Sequence, residues 1–287
     1  MSRPGDDTDL VLIPTSGSDE FIGFAVQIDG ERAGTVAFRH EDKARASIRW
    51  SLADEHLGQL ARVLKQAVDH AFAELGISRV ETQIDAEDHA TIRQAARAGL
   101  RKEGVVRGNA DDPDRLLAAR LASDPDPWSR DGFLGILNAG LPTKRVIGQG
   151  ILRDEQGRVL LCQLTYKLQW DLPGGVVEIG ESPAHGVVRE IKEELDIDVT
   201  VRGLITVNWL PPWRGWDDAC VFVFDLGTAD SGLIDRMTLE RREIAAMHWC
   251  DPATVAERAT TVTQELLTWL EQPTEHRPYR ESSQEKS

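Results

Sequence analysis

The 287 residues carry 48 acidic against 33 basic side chains, a net charge of −15 and a pI near 4.9, which disfavours nonspecific nucleic-acid binding, since that needs a basic surface. Three scattered cysteines, Cys162, Cys220 and Cys250, lack metal-ligand spacing and exclude a disulfide scaffold, so a reducing, cytoplasmic setting is expected. No apolar run has the length of a membrane span, the opening MSRPGDDTD lacks the marks of a signal peptide, and at this length two domains are expected.

Residues 1–9 read as disordered and 10–122 as a first αβ unit. Alternation over 21–28 and 32–38 predicts a hairpin about Asp29-Gly30-Glu31, and 46–52 a further strand. Over 57–75 the apolar residues Leu60, Val63, Leu64, Ala67, Val68, Ala71 and Phe72 fall at helical spacing, and Gly76 caps that helix. A short strand over 80–84 and a helix over 91–98 closed by Gly99 follow, with a last strand over 115–121.

The segment DHATIRQAARAGLRKEGVVRG, 88–108, resembles the GNAT acetyltransferases, in which an asparagine opens a helix ending in Gly-Phe with Glu-Gly following. Here Asp88 stands for the asparagine, Thr91 for a serine and Leu100 for the phenylalanine. The resemblance implies an acetyl-CoA pyrophosphate cradled by backbone N–H groups of a glycine loop at a helix start. The matching loop is Glu55-His56-Leu57-Gly58-Gln59-Leu60. Only Gly58 survives as a cofactor-binding glycine, Leu60 is expected to crowd the phosphate and Glu55 to repel it. The expectation is a degenerate domain that binds acetyl-CoA poorly, with an active acetyltransferase, using Glu81 or His56 as base, as the rival. Such a domain remains able to bind another ligand, position substrate or form a homodimer.

Residues 123–142 read as a linker, with Pro125 and Pro127 and a short bridging helix over 131–139. The second domain is expected over 143–271 and a disordered polar tail over 272–287. Strands over 146–152 and 159–164 flank the turn Asp154-Glu155-Gln156-Gly157, and Pro173-Gly174-Gly175 turns the chain into a loop. Ser182-Pro183 starts a helix running to about Leu195, serine suiting the N-cap and proline the first helical position. Glu190, Glu193 and Glu194 share one face of it, an unfavourable placement unless a cation compensates.

Gly175, Glu181, Arg189-Glu190, Ile191, Glu193-Glu194 and Ile197 stand in the register G-x5-E-x7-R-E-U-x-E-E-x-G-U, where U is aliphatic. This resembles the Nudix hydrolases; the one departure is Asp196 in place of glycine, which puts the helix end in question rather than the ligands. The resemblance implies Mg2+ or Mn2+, which carboxylate oxygens suit, and hydrolysis of the pyrophosphate bond of a nucleoside diphosphate joined to another group. It implies Glu190, Glu193 and Glu194 as metal ligands with a carbonyl at Gly174, Glu181 and Gly175 as supports, and Arg189 as the group that orients the carboxylates. For the general base, Glu243, six residues before Trp249, competes with Glu190.

Substrate choice lies outside this box. Asn208–Asp218 holds Trp209, Trp213 and Trp216, which either stack on a base or belong to a sheet edge. Pro212 resembles an ADP-ribose pyrophosphatase marker. Lys144 and Arg145 either reach phosphates or are ordinary charges at a strand start. A closing helix is expected over 252–270. The fold class is α+β in two domains, an α/β/α sandwich with a mixed sheet behind a GNAT-like αβ domain. The partner is a small nucleotide substrate, with no nucleic acid and no membrane; ADP-ribose or a nucleotide sugar is favoured. The rivals are a bifunctional protein with a live acetyltransferase and a nucleotide sensor without turnover.

Overall fold

The computed structural model describes residues 9–15, 20–213, 215–272 and 278–282. The chain divides between Pro142 and Thr143 into two compact units. Among the described residues no helix is long and apolar enough to cross a membrane.

The first unit runs β1 (Leu10–Pro14), β2 (Phe21–Ile28), β3 (Glu31–His40), β4 (Arg45–Leu52), a 3₁₀ turn (Asp54–Gln59), α1 (Leu60–Glu74), β5 (Arg79–Asp85), α2 (His89–Arg97), β6 (Arg101–Val106), β7 (Arg115–Leu121) and α3 (Arg130–Gly140). The β2–β3 hairpin turns through Asp29 and Gly30, both at positive φ (51° and 83°), the pair of left-handed residues a tight two-residue loop demands. The sheet order is β1-β2-β3-β4-β5-β7-β6. β4 and β5 are parallel and pair over Arg45–Ser47 and Arg79–Glu81 alone, so they diverge beyond that point. Leu60, Val63, Leu64, Ala67, Val68 and Ala71 line the buried face of α1, as their spacing predicts. They share one core with Phe38 and Ile48 of the sheet and with Leu100, just before β6.

The second unit runs β8 (Arg145–Asp154), β9 (Val159–Leu164), β10 (Gly174–Val176), α4 (Pro183–Leu195), β11 (Gly203–Leu210), β12 (Ala219–Ala229), a 3₁₀ turn (Ser231–Arg236), β13 (Ile244–Cys250), α5 (Pro252–Arg258), α6 (Thr261–Leu270) and β14 (Tyr279–Glu281). Its mixed sheet has the order β13-β9-β8-β12-β11-β14, with β10 against β8. Successive residues of a strand face opposite sides. Ile151, Leu161, Val221 and Val223 therefore pack toward Val255, Leu266 and Leu267 of α5 and α6. Leu152, Leu160, Phe224 and Leu226 pack toward Val187, Ile191 and Leu195 of α4. The result is the expected sheet between helices.

Several expectations need correction. Residues 57–59 are a 3₁₀ turn, not the first turn of α1. β1 and β6 form where no strand is expected. Gly174–Val176 is a short strand on β8, not loop. The closing helix is two helices, because Thr260 is extended and accepts a hydrogen bond from Thr263 N–H, capping α6 afresh. α3 is no free bridge: Gly135 lies so close to Arg101 of β6 that an added Cβ would stand 2.5 Å from its guanidinium. In the tail, Tyr279–Glu281 is ordered as β14, parallel to β11, because β11 otherwise offers an open edge. Of residues expected to be disordered, 1–8, 273–277 and 283–287 lie outside the described residues.

Candidate active site

The site is built on the loop and helix that follow β10. Ser182 caps α4 by accepting from His185 N–H at 3.3 Å, and Pro183 occupies the first turn. At the other end Asp196 adopts the left-handed conformation, φ 53° and ψ 37°, that a glycine takes without strain. The two adjacent glycines where the box begins have separate reasons. Gly174 sits at φ 130°, and a Cβ there would stand 2.1 Å from Gly148 O. Gly175 gives way to Glu190, whose Cδ would be 2.5 Å from an added Cβ. Pro173 O accepts from Gly150 N–H and Val146 O accepts from Val177 N–H. That alternation turns the Gly174 carbonyl away from β8.

Arg189 is the organiser. Its Nε and Nη2 donate to the two oxygens of Glu181 at 3.0 and 3.1 Å. Nη2 also reaches Val176 O at 3.0 Å and Glu190 Oε1 at 3.0 Å, and Nη1 reaches Glu193 Oε2 at 2.9 Å. Glu181 in turn accepts from Glu178 N–H at 3.1 Å, which folds the loop onto the helix. Glu181's hydrogen bonds from Arg189 hold its carboxyl below the usual range. One planar fork thus serves three carboxylates and a carbonyl, as a compact ammonium could not.

Glu194 differs from its neighbours. It is 9% exposed, and no side chain among the described residues pairs with it. Burial, then the charges of Glu190, Glu243 and Glu193, push its carboxyl up to about 8. Glu190 is raised too, by burial first, against the opposing pull of Arg189. Among the described residues no three His, Cys, Asp or Glu side chains already stand together as a closed ligand set. Glu193 points to Arg189 with 61% of its side chain exposed. The donors are hard oxygens, and one is a buried carboxyl with no cationic partner among the described residues, so the set fits a hard divalent cation, which Glu190, Glu193 and Glu194 would hold.

Glu243 joins this cluster through backbone ties. Glu240 N–H donates to Glu194 O at 2.8 Å and Thr238 N–H to Leu195 O at 3.1 Å, strapping the segment before β13 to the end of α4. Glu243 carries an exposed side chain there, near enough to raise both Glu190 and Glu194. Trp249 is turned elsewhere, its Nε1 donating to Ser231 O at 2.9 Å.

The tryptophans form a second group at the start of β8. Trp213 and Trp216 bridge each other across the β11–β12 turn and are exposed. The Arg145 guanidinium lies 4.8 Å over the Trp216 ring and donates to Asp217 O, while its buried Nε has no acceptor among the described residues. Lys144 pairs with Asp218, and Trp209 Nε1 donates to Asp218 at 3.2 Å. Asp218, unremarkable in the sequence beyond ending the aromatic segment, is therefore its anchor. Register relates the two groups: Arg145 lies three residues from Gly148, which pairs with Gly175 against Glu190.

In the first unit, Gly58 lies in the 3₁₀ turn with open space about it. Leu60 does not crowd that loop. Its side chain is buried in the core, a correction that follows from its place on the apolar face of α1. Asp54 and Glu55 do precede the helix, placing negative charge where an anion would dock. A cleft of about 680 Å³ opens between β4 and β5, but Arg39 on its wall is taken up by Glu41 at 2.8 Å.

Residues 144–270 match the NUDIX domain, and residues 9–101 match the Acetyltransferase (GNAT) domain. Over 121 residues, 42% of this chain, the protein is 33% identical to a MutT-like protein of Streptomyces ambofaciens, covering 73% of that relative. It is 42% identical over 122 residues, 40% of this chain, to a Bacillus subtilis (strain 168) protein named provisionally as an ADP-ribose pyrophosphatase. There the chain spans 57% of the relative's length, less than two thirds. A MutT protein of Methanosarcina mazei Go1 aligns in structure with a TM-score of 0.40 and 21% identity, over 46% of this chain and 96% of that one. Box, capped helix and matched relatives agree, and the chain belongs to the NUDIX family through its second unit; the first unit is similar to the Acetyltransferase (GNAT) domain over residues 9–101.

Proposed function

We propose that the second unit hydrolyses, with Mg2+ or Mn2+, the pyrophosphate bond of a nucleoside diphosphate joined to another group, with ADP-ribose or a nucleotide sugar as the favoured class. The observation that carries this reading is Glu194, a buried carboxyl with no cationic partner among the described residues, in a cluster of glutamates. Glu190, Glu193 and Glu194, with the Gly174 carbonyl, would hold the cation. When bound, it would neutralise phosphoryl charge and lower the pKa of an attacking water.

The remaining work belongs to this chain's own groups. Arg189 keeps Glu190 and Glu193 oriented from one side while Glu181 anchors Arg189. Gly175 leaves room for Glu190. Glu243 is the favoured base: it is exposed, beside the cluster, and not held by Arg189, whereas Glu190 is already engaged. Arg145, with an unsatisfied Nε beside Trp216, suits an anionic group next to a flat ring, which supports a nucleotide over a bare pyrophosphate. The Bacillus relative's name favours ADP-ribose within that class.

For the first unit, the acids before α1 do not fit an acetyl-CoA pyrophosphate, and calorimetry with millimolar acetyl-CoA is expected to be silent. Clear heat of binding would restore the acetyltransferase reading. For the second, phosphate release in the presence of magnesium is screened over ADP-ribose, nucleotide sugars, dinucleotides, nucleoside triphosphates and coenzyme A. Turnover confined to diphosphates bearing a nucleoside is expected, and inertness toward the whole set contradicts the proposal.

A further inference from the structure

Between Leu164 and Asp171 the chain leaves the sheet and returns to it. Cys162 and Asp171 exchange both backbone hydrogen bonds, at 2.8 and 3.0 Å, closing the excursion at its neck. On one flank Thr165 N–H donates to Glu243 O at 2.9 Å and Thr165 Oγ1 to Arg242 O at 2.7 Å. On the other, Trp170 N–H donates to Arg258 O at 2.8 Å and Trp170 O accepts from Thr260 N–H at 3.0 Å. Within the loop Lys167 Nζ is bound to Asp171 Oδ2 at 2.7 Å. A loop tied at its neck and both flanks presents its tip in one place.

That tip contributes nothing to the core. Tyr166 is 71% exposed and Leu168 98%. Tyr166 follows the residue bonded to Glu243, and among the described residues its hydroxyl has no hydrogen-bond partner. The Thr165–Glu243 bond sets the Tyr166 backbone next to the Glu243 segment, and partial burial and the charges of Glu194 and Glu243 hold the phenol proton more firmly than usual. A phenol is a neutral donor. It can approach an acidic site without competing for the cation, and a phosphate oxygen is the acceptor such a site admits.

We propose that Tyr166 is a substrate-contact residue of the carboxylate site, its hydroxyl donating a hydrogen bond to a non-bridging phosphate oxygen of the bound diphosphate. The inference rests on the diphosphate reading above. It is tested on the full chain with Tyr166→Phe and, as a control in the same loop, Leu168→Ala. Two readouts are used: the Kd for magnesium pyrophosphate by calorimetry, and KM and kcat for ADP-ribose hydrolysis with magnesium.

Tyr166→Phe is expected to weaken Kd and raise KM by about tenfold, the loss of one hydrogen bond to a charged group. Its kcat stays within about twofold of the wild type and its melting temperature is unchanged. Leu168→Ala leaves all of these at wild-type values. A Tyr166→Phe variant that binds magnesium pyrophosphate like the wild type overturns the assignment, as does an equal loss in Leu168→Ala, which would mean loop collapse. If the wild type binds magnesium pyrophosphate, fails to split ADP-ribose, and still loses affinity in Tyr166→Phe, the contact stands and the hydrolytic reading falls. If the wild type does not bind magnesium pyrophosphate, the contact falls with it.

Discussion

Asp196 holds a left-handed backbone without glycine's freedom, and its return is a single exposed contact, Lys192 Nζ at 3.0 Å from Oδ1. Exposed pairs contribute well under ~1 kcal/mol, less than the roughly 1–2 kcal/mol that a left-handed non-glycine backbone costs. Asp196→Gly is therefore expected to raise stability by about 0.5–1 kcal/mol in denaturant titration with turnover unchanged; a fall in turnover would give Asp196 a chemical part. Glu194 is the opposite case, its burial disfavouring its own charge. Glu194→Gln should stabilise the metal-free protein at pH 8 by about 1–3 kcal/mol while removing turnover. Destabilisation of the metal-free form would mean that a cation is not what the carboxylate lacks. Gly175→Ala should cut activity sharply by displacing Glu190, and unchanged rates would refute that packing.

At the scale of elements, what the sequence made legible follows local physics. α4 was legible from its start, where Ser182 and Pro183 say helix within their own turn, whereas Asp196 in place of glycine left its end in question. The β2–β3 hairpin was legible because Asp29-Gly30 supplies its own left-handed pair. β14 was not: three residues with no apolar alternation become a strand only because β11 offers its edge. The break between α5 and α6 hid for a related reason, as Thr260 reads as helix interior until its hydroxyl is seen to cap. The box ligands were legible as a spacing. The tie of Glu243 to the cluster runs through backbone bonds to α4 and the 165–170 loop, which no residue pattern encodes. β14 is also joined to β11 through a buried reciprocal pair, Asn208 Nδ2 to Ser282 Oγ at 2.9 Å and Ser282 Oγ to Asn208 Oδ1 at 3.2 Å. Ser282→Ala leaves Asn208 unpaired and should cost about 1–3 kcal/mol in chemical denaturation; a neutral result would mean that the strand does not hold in solution.

For the molecule as a whole, the acidic cluster links stability to pH. Native Glu194 keeps its proton up to about 8, whereas the unfolded carboxyl loses it near its ordinary value of 4.5. Between those limits the native state binds more protons, so this group's contribution makes stability fall as pH rises. A divalent cation favours the ionised form and counters that fall. The melting temperature should therefore gain more from magnesium at pH 8 than at pH 5.5, and an equal gain at both would uncouple the cation from these carboxylates. The overall charge of −15 fits a protein that meets small anions through a bound cation rather than through a basic surface.

The most direct measurement is the rate of ADP-ribose hydrolysis by the full chain, wild type beside Glu194→Gln, with and without magnesium. Magnesium-dependent turnover in the wild type, lowered by orders of magnitude in Glu194→Gln, is the predicted result. Turnover by the wild type that needs no divalent cation, or that survives the loss of the Glu194 charge, would contradict the account.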